Sequence, residues 1–315
     1  MWLLTLFSAG LFVLPAAITV GGYIGIEYQK VFHGEGRPAP GTNNPLGPGP
    51  DGDGRIIETN TWCQKSFGIT PFPGRYVFNP NQWGDPDDLG DLCMNITTDS
   101  GVSEDTLFAA GFSATWQYPV GPVDEPVHAF PNAKLLLPGD GPVRLAGLDG
   151  LRLDVSWSYG LGSYVHADTD SAVLGAAKVN ANVCVDMFLA ADAADAADPT
   201  RARYEVMVWL AAWGDATDPI GLPAGSQANH TINGTRFDLY YGDNALGQTV
   251  LTWLADRNTT DFIGDIGPLI HELKHHTGPD ASDHLGYVAF GSEALYSFEN
   301  VTFYVPRLAM DIDSS

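Results

Sequence analysis

Two residue patterns in this chain could do chemistry. The first is local. His271-Glu272-Leu273-Lys274-His275 reads H-E-x-x-H. On a helix that spacing sets two imidazoles one turn apart to hold zinc, with the intervening glutamate as general base of a metallopeptidase. Gly278 stands where the extended form of the pattern has a glycine, but the third histidine position is Ala281, with His284 out of step. The second pattern is distributed over separate runs. Side chains alternate across a strand, so Tyr204, Val206, Val208 and Leu210 share one face of Arg203–Ala211, and Glu205, Met207 and Trp209 share the other. A charge on such an apolar, aromatic face is costly unless it is partnered or used. The run Asn182–Phe188 repeats the arrangement, with Asn182, Cys184, Asp186 and Phe188 opposite Val183, Val185 and Met187. If the two runs lie side by side, Asp186 and Glu205 come close. Glu293 ends a third run, Tyr287–Glu293, where Gly291 gives the backbone room. Carboxylates among aromatic rings on a concave sheet suit a polysaccharide cleft: rings stack on sugar faces while the acids act at the glycosidic oxygen and the anomeric carbon. A strand glutamate taken alone is more often a solvated outer-face residue.

The elements that must position these residues are mostly strands. Short alternating runs recur between Gly, Pro, Asn and Asp: Leu151–Tyr159, Asn182–Leu189, Tyr204–Ala211, Thr235–Tyr241 and Val301–Val305. Many short strands with one helical interruption predict an all-β fold, a two-sheet antiparallel β-sandwich of the jelly-roll type. The interruption is Asp265–His276, where Ile266, Leu269, Ile270 and Leu273 follow helical spacing. His271 and His275 fall nearly opposite that stripe, facing solvent rather than the domain interior. Ala190–Ala197 reads as a surface loop or a short helical turn.

The whole chain sets bounds. Its 315 residues are 44% hydrophobic, enough for a sizeable core, and carry 15 basic against 38 acidic side chains, a net charge of −23. That charge repels nucleic acid and anionic membrane surfaces and suits a neutral ligand. Residues 2–26 contain no charged side chain, a run long enough to span a bilayer and longer than a usual signal-peptide core. Residues 34–54 hold seven Gly and five Pro, a linker composition. The organisation expected is a hydrophobic leader (1–26, signal anchor or signal peptide), a Gly/Pro-rich linker (27–55) and one catalytic domain (56–315). Sequons begin at Asn95, Asn229, Asn233, Asn258 and Asn300, which fits a secreted or membrane-anchored extracellular glycoprotein. Of the three cysteines, Cys63 and Cys93 could pair, and Cys184 reads as a buried thiol; the spacings are not those of a zinc site.

Six segments resemble glycoside hydrolase family 12, the endo-β-1,4-glucanases and xyloglucanases. Tyr204-Glu205-Val206-Met207-Val208-Trp209-Leu210 is similar to that family's nucleophile strand. Asn79-Pro80-Asn81-Gln82-Trp83-Gly84 is similar to its N-x-x-W-G segment, and Val127-His128-Ala129-Phe130-Pro131-Asn132 to its V-K-x-Y/F-x-N segment. Asn182–Phe188, Leu239-Tyr240-Tyr241-Gly242-Asp243-Asn244 and Phe290-Gly291-Ser292-Glu293 complete the set, in the family's order, over about residues 61–305. The resemblance implies a concanavalin A-like jelly roll with an open concave cleft and one helix packed on its outer side, behind the sheet. It implies Glu205 as nucleophile, Glu293 as acid/base and Asp186 as the carboxylate that orients the nucleophile. Substrate contacts would come from Trp83, Met207, Trp209, Asn81, Trp116 and Phe67. It implies a Cys63–Cys93 disulfide and no metal or cofactor. The chain departs from the family where Ala294-Leu295 replace the usual Pro-Phe, and where Val185 replaces a tyrosine.

The expected activity is therefore hydrolysis of internal β-1,4 bonds in cellulose-type or mixed-linkage β-glucan, with retention, by a monomer. The Tyr240–Asn244 phrase looks closer to members acting on plain β-1,4-glucan than to xyloglucan-specific ones. Three other readings are a xyloglucan-specific enzyme, a glycan-binding sandwich without catalysis, and a zinc metallopeptidase using His271, Glu272 and His275.

Overall fold

The computed structural model describes residues 56–315, apart from 66–67, 72–73, 85–88, 104–105, 123–125 and 216. The leader and linker expected from sequence lie outside the described residues, and so does Phe67. Among the described residues, no helix is long and apolar enough to cross a membrane.

Strands dominate, as the alternating runs require. One sheet is built from β1 (Ile57–Trp62), β3 (Asp91–Asp99), β4 (Gly111–Tyr118), β7 (Leu148–Leu161), β13 (Asp261–Asp265) and most of β15 (Ala294–Ser314), in the order β1-β3-β4-β15-β7-β13. The other runs β2 (Tyr76–Asn79), β5 (Asn132–Leu135), β14 (His284–Gly291), β8 (Asn180–Ala190), β9 (Tyr204–Trp213), β12 (Thr249–Ala255), β11 (Thr235–Asp243), β10 (Ala228–Ile232). A two-residue strand, β6 (Val143–Arg144), pairs with the start of β14. The first residues of β15 pair with β8, and from Ser297 onward the same strand pairs with β4 and then β7. One long strand thus passes from the second sheet into the first and joins them in a single hydrogen-bonded network. Register shifts near Ala294/Tyr296 and Ser297/Val301 mark where it bends.

The sheets are not wholly antiparallel. β9 and β12 pair in parallel, because the chain leaves β9 through a long connection, starts again at the far edge with β10, and returns by a meander.

The core fills the space between the sheets with the apolar faces that alternation predicts: Val183, Val185 and Met187 of β8, Val206, Val208 and Leu210 of β9, and Val155, Trp157 and Tyr159 of β7. Burying each such large side chain contributes roughly 1.5–3 kcal/mol. Trp116 is here too. It is fully buried, in line with Phe112, Ala114 and Tyr118 on the inward face of β4. The expectation that it touches substrate is corrected: its alternation partners are core residues, and its indole donates a 2.6 Å hydrogen bond to the Tyr159 hydroxyl inside the sandwich.

Among the described residues, three short α-helices accompany the sheets. α1 (Ser171–Ala176) and α2 (Ala193–Ala196) each begin at an aspartate, Asp170 and Asp192, whose carboxylate accepts from the first free backbone N–H groups. The expected helix is α3 (Gly267–Glu272), continued by a 3₁₀ turn over Leu273–His275. It packs behind the cleft sheet. Ile266, Leu269, Ile270 and Leu273 join the core, and Trp253 of β12 donates to the Leu269 carbonyl at 3.1 Å. Cys63 and Cys93 form a disulfide that ties the end of β1 to β3.

Candidate active site

The second sheet turns one face to the core and the other outward. Its registers place the outward residues in rows. One row runs Tyr287, Phe188, Glu205, Val250 across β14, β8, β9 and β12. The next runs Lys134, Ala289, Asp186, Met207, Thr252, starting on β5. A third runs Asn132, Gly291, Cys184, Trp209, Leu254. Asp186 therefore lies diagonal to Glu205 on the adjacent strand, a neighbouring position on the same face. Phe130, Cys184, Met207, Trp209, Val250 and Ala289 form an apolar cluster separate from the main core, with Trp83, Leu254 and Tyr287 packed against it. This cluster is the floor and wall of the site.

Glu293 enters from another direction. It sits with Ser292 in the two-residue link between β14 and β15, 5% exposed. Gly291 before it approaches the backbone so closely that a Cβ there would lie 2.4 Å from the Pro131 carbonyl oxygen, so the link can tuck the glutamate onto the sheet. Asn182 of β8 receives it: the Asn182 side-chain amide donates to Glu293 Oε2, and its Oδ1 accepts from the Glu293 N–H at 3.0 Å. Burial pushes the Glu293 carboxyl up to about 7, against the opposing effect of the Asn182 hydrogen bond.

Asp186 is also buried, and burial, followed by the charge of Glu293, drives its carboxyl well above the usual range. Its Oδ1 has no hydrogen-bond partner within the protein. Cys184 is the buried free thiol the sequence suggests. Burial raises it, and so do the charges of Glu293, Asp186 and Glu205 in that order. Cys184 shares the outward face of the sheet with Asp186 and Glu205, and Glu293 is hydrogen-bonded to Asn182 on the same strand, although these residues are spread over more than a hundred positions of sequence.

Glu205 is 1% exposed. Asn244 extends its amide toward Glu205 Oε2 at 3.4 Å and donates to Gln248 Oε1 at 2.9 Å. Gln248 in turn donates to the carbonyls of Pro199 and Ala202 at 2.7 and 2.8 Å. The β11–β12 turn is thereby fastened beside the nucleophile candidate. Neither the grip of Asn182 nor the Asn244–Gln248 pair was foreseen. The signal available was a buried asparagine in an otherwise apolar strand and the Asn closing the Leu239–Asn244 segment.

Trp83 is half-buried against the apolar cluster, and its backbone N–H donates to the His128 carbonyl at 3.0 Å. Asn81, at a positive φ of 48°, turns the chain so that its carbonyl accepts from Phe130 N–H at 2.9 Å. Met207 and Trp209 lie on the floor, both 2% exposed, with the indole N–H 3.2 Å from the Met207 sulfur. Lys134 lies 4.9 Å over the Tyr287 ring, two strands away from Asp186.

The H-E-x-x-H segment stands apart from this face. The ring of His271 lies 2.9 Å from the Leu148 carbonyl through Nε2, and His275 is exposed on the 3₁₀ turn. Glu272 faces His276, one turn on, at 3.9 Å. Among the described residues, no three His, Cys, Asp or Glu side chains converge on a point that could hold a metal ion.

Comparison with known proteins places the fold and the class of the chain. The profile of the family described as Glycosyl hydrolase family 12 matches residues 74–313. A probable xyloglucan-specific endo-β-1,4-glucanase A of Aspergillus clavatus is 32% identical over 222 residues, 70% of this chain and 79% of that protein. A xyloglucan-specific endo-β-1,4-glucanase A of Aspergillus niger is 30% identical over 225 residues, 71% of this chain and 80% of that one. Among solved structures, Trichoderma harzianum endoglucanase 3 superposes with a TM-score of 0.63 at 25% identity, covering 81% of this chain and 97% of that one. The catalytic domain of Humicola grisea Cel12A shares the fold with a TM-score of 0.63 at 22% identity, covering 80% and 99%. The chain belongs to glycosyl hydrolase family 12. It is a glycoside hydrolase of the endo-β-1,4-glucanase type.

Proposed function

We propose that the protein cleaves internal β-1,4-glucosidic bonds of a β-glucan with retention of anomeric configuration. Glu205 attacks the anomeric carbon as the C–O bond to the leaving sugar breaks, and Glu293 delivers its proton to the departing oxygen. Water then attacks the glycosyl-enzyme, giving its proton to Glu293 and releasing Glu205. Asp186, protonated or sharing a proton with Glu205, orients the nucleophile. Trp83, Met207, Trp209 and Asn81 line the sugar path.

The observation that carries this reading is the placement of three buried carboxyls, with Asp186 and Glu205 on adjacent strands of one face and Glu293 held to that sheet by Asn182. Glu293 is held near neutrality by burial, so it can be an acid in one step and a base in the next. Glu205 sits where Asn244 offers its carboxylate a donor. Retention further requires the two carboxyls to stand about 5–5.5 Å apart.

Cellulose-type or mixed-linkage glucan is the first substrate reading. Xyloglucan is the second, favoured by the two Aspergillus relatives, both described as xyloglucan-specific. The protein works outside the cell as a monomer, delivered or anchored by residues 2–26, and carries glycans on its exposed sequons. Asn229, Asn233 and Asn258 are exposed; Asn95 and Asn300 are half-buried within strands.

The test is proton NMR of the fresh products from soluble cellulose, mixed-linkage glucan and xyloglucan. β-Anomers appearing first establish retention, and relative rates rank the substrates. α-Anomers appearing first, or no product from folded protein on any glucan, overturn the proposal; the latter would favour a glycan-binding role.

A further inference from the structure

We infer that Asn182 is a positioning residue for the acid/base, held by a one-way chain of hydrogen bonds that crosses the core from Trp116. This rests on Glu293 being the acid/base, as proposed above.

A two-residue link does not by itself hold a side chain to one rotamer. Here four polar functions of Asn182 are spent on that link. Its N–H donates to the Glu293 carbonyl at 3.3 Å, its carbonyl accepts from Ser292 Oγ at 2.6 Å, its Oδ1 accepts from Glu293 N–H at 3.0 Å, and its amide donates to Glu293 Oε2. Ser292 Oγ lies 3.2 Å from the Tyr159 hydroxyl, which accepts from Trp116 Nε1 at 2.6 Å. An indole can only donate and a backbone carbonyl can only accept, and Ser292 has one proton, which it gives to the Asn182 carbonyl, so the direction is set: Trp116 to Tyr159, Tyr159 to Ser292, Ser292 to Asn182. Trp116, Tyr159, Ser292 and Asn182 are all fully buried. In so dry a setting each bond polarises the next and an unmade bond is costly. The chain links the first sheet, through β4 and β7, to the catalytic link of the second.

The electrostatic consequence is specific. The ionisable groups around Glu293 are Asp186 of β8, whose carboxyl is raised by the charge of Glu293, and the buried Cys184 thiol of the same strand, with Glu205 on the adjacent β9. An ionised Asp186 opposes an anionic Glu293, and the neutral thiol does not. The Asn182 amide favours the anion. Glu293 must be protonated for the first step and ionised for the second, so the amide offsets burial and keeps both forms accessible.

The experiment compares pH profiles of kcat/KM on soluble β-glucan for the full chain, Asn182→Leu, Tyr159→Phe and Glu293→Gln. Loss of the amide raises the Glu293 pKa, so the alkaline limb of Asn182→Leu should move up by about one pH unit. Its kcat should fall about tenfold or more while KM stays within about twofold. Tyr159→Phe should change kcat in the same direction by less. Asn182→Asp keeps the shape and serves if the leucine variant does not fold; a second carboxyl should push the limb up further. An unmoved alkaline limb, or a raised KM at unchanged kcat, overturns the role of Asn182. Glu293→Gln separates the two readings: if it retains glucanase activity, the acid/base assignment itself fails and this inference with it.

Discussion

The H-E-x-x-H helix and the outward face of β8 and β9 offer opposite lessons about where chemistry resides. The helix holds its suggestive residues within five positions, and the fold separates them: Leu273 goes to the core, His271 to a backbone carbonyl, His275 to solvent. The sheet face collects Asn182, Asp186, Glu205 and Glu293 from distant segments and buries them together. A local motif supplies spacing only. A catalytic site also needs desolvation and a partner for each charge, and those come from the surrounding sheet.

The largest effect expected should break the comparison outright if it is wrong. Glu205→Gln should lower kcat/KM on β-glucan by about a thousandfold or more, while EDTA leaves the parent's rate unchanged; chelator-sensitive activity would return the chemistry to the helix. Next comes the pH profile of the parent. In the proposed mechanism Glu293 carries its proton for the first step, and burial brings its carboxyl up to about 7, so kcat/KM should decline as pH rises through that value, roughly tenfold per unit above it. A rate that holds level to pH 9 would remove Glu293 from the acid role.

The helix should matter for stability instead. Leu269→Ala, at a fully buried position against Trp253, should cost about 2–4 kcal/mol of unfolding free energy with activity per folded molecule unchanged. A selective loss of kcat would sharpen the comparison differently, by coupling the helix to the cleft. The smallest effect belongs to the motif itself. His275→Ala should change stability by less than about 0.5 kcal/mol and leave the rate alone, checked by thermal melts and initial rates.

Much of the candidate site's arrangement was legible in the strands. Alternation put Glu205 with Met207 and Trp209, and Asp186 with Cys184, before any coordinates, because period-two geometry is a local property. The same rule applied to β4 would have placed Trp116 with Phe112, Ala114 and Tyr118 as an inward residue. Trp116 cannot reach substrate because that inward face is closed by the opposite sheet. The parallel pairing of β9 with β12 was out of reach, since register between distant strands depends on the path of the connections.

By itself, then, the sequence determined which residues share a strand face and which helix stripe is apolar, both consequences of backbone geometry over a few residues. Tertiary structure alone decided which of two apolar strand faces became core and which became cleft. It also brought Glu293 against Asn182 across 111 positions and made a buried tryptophan the start of the chain that supports it. Those outcomes depend on burial and on hydrogen bonds between segments distant in sequence, and neither exists until the two sheets have closed on each other.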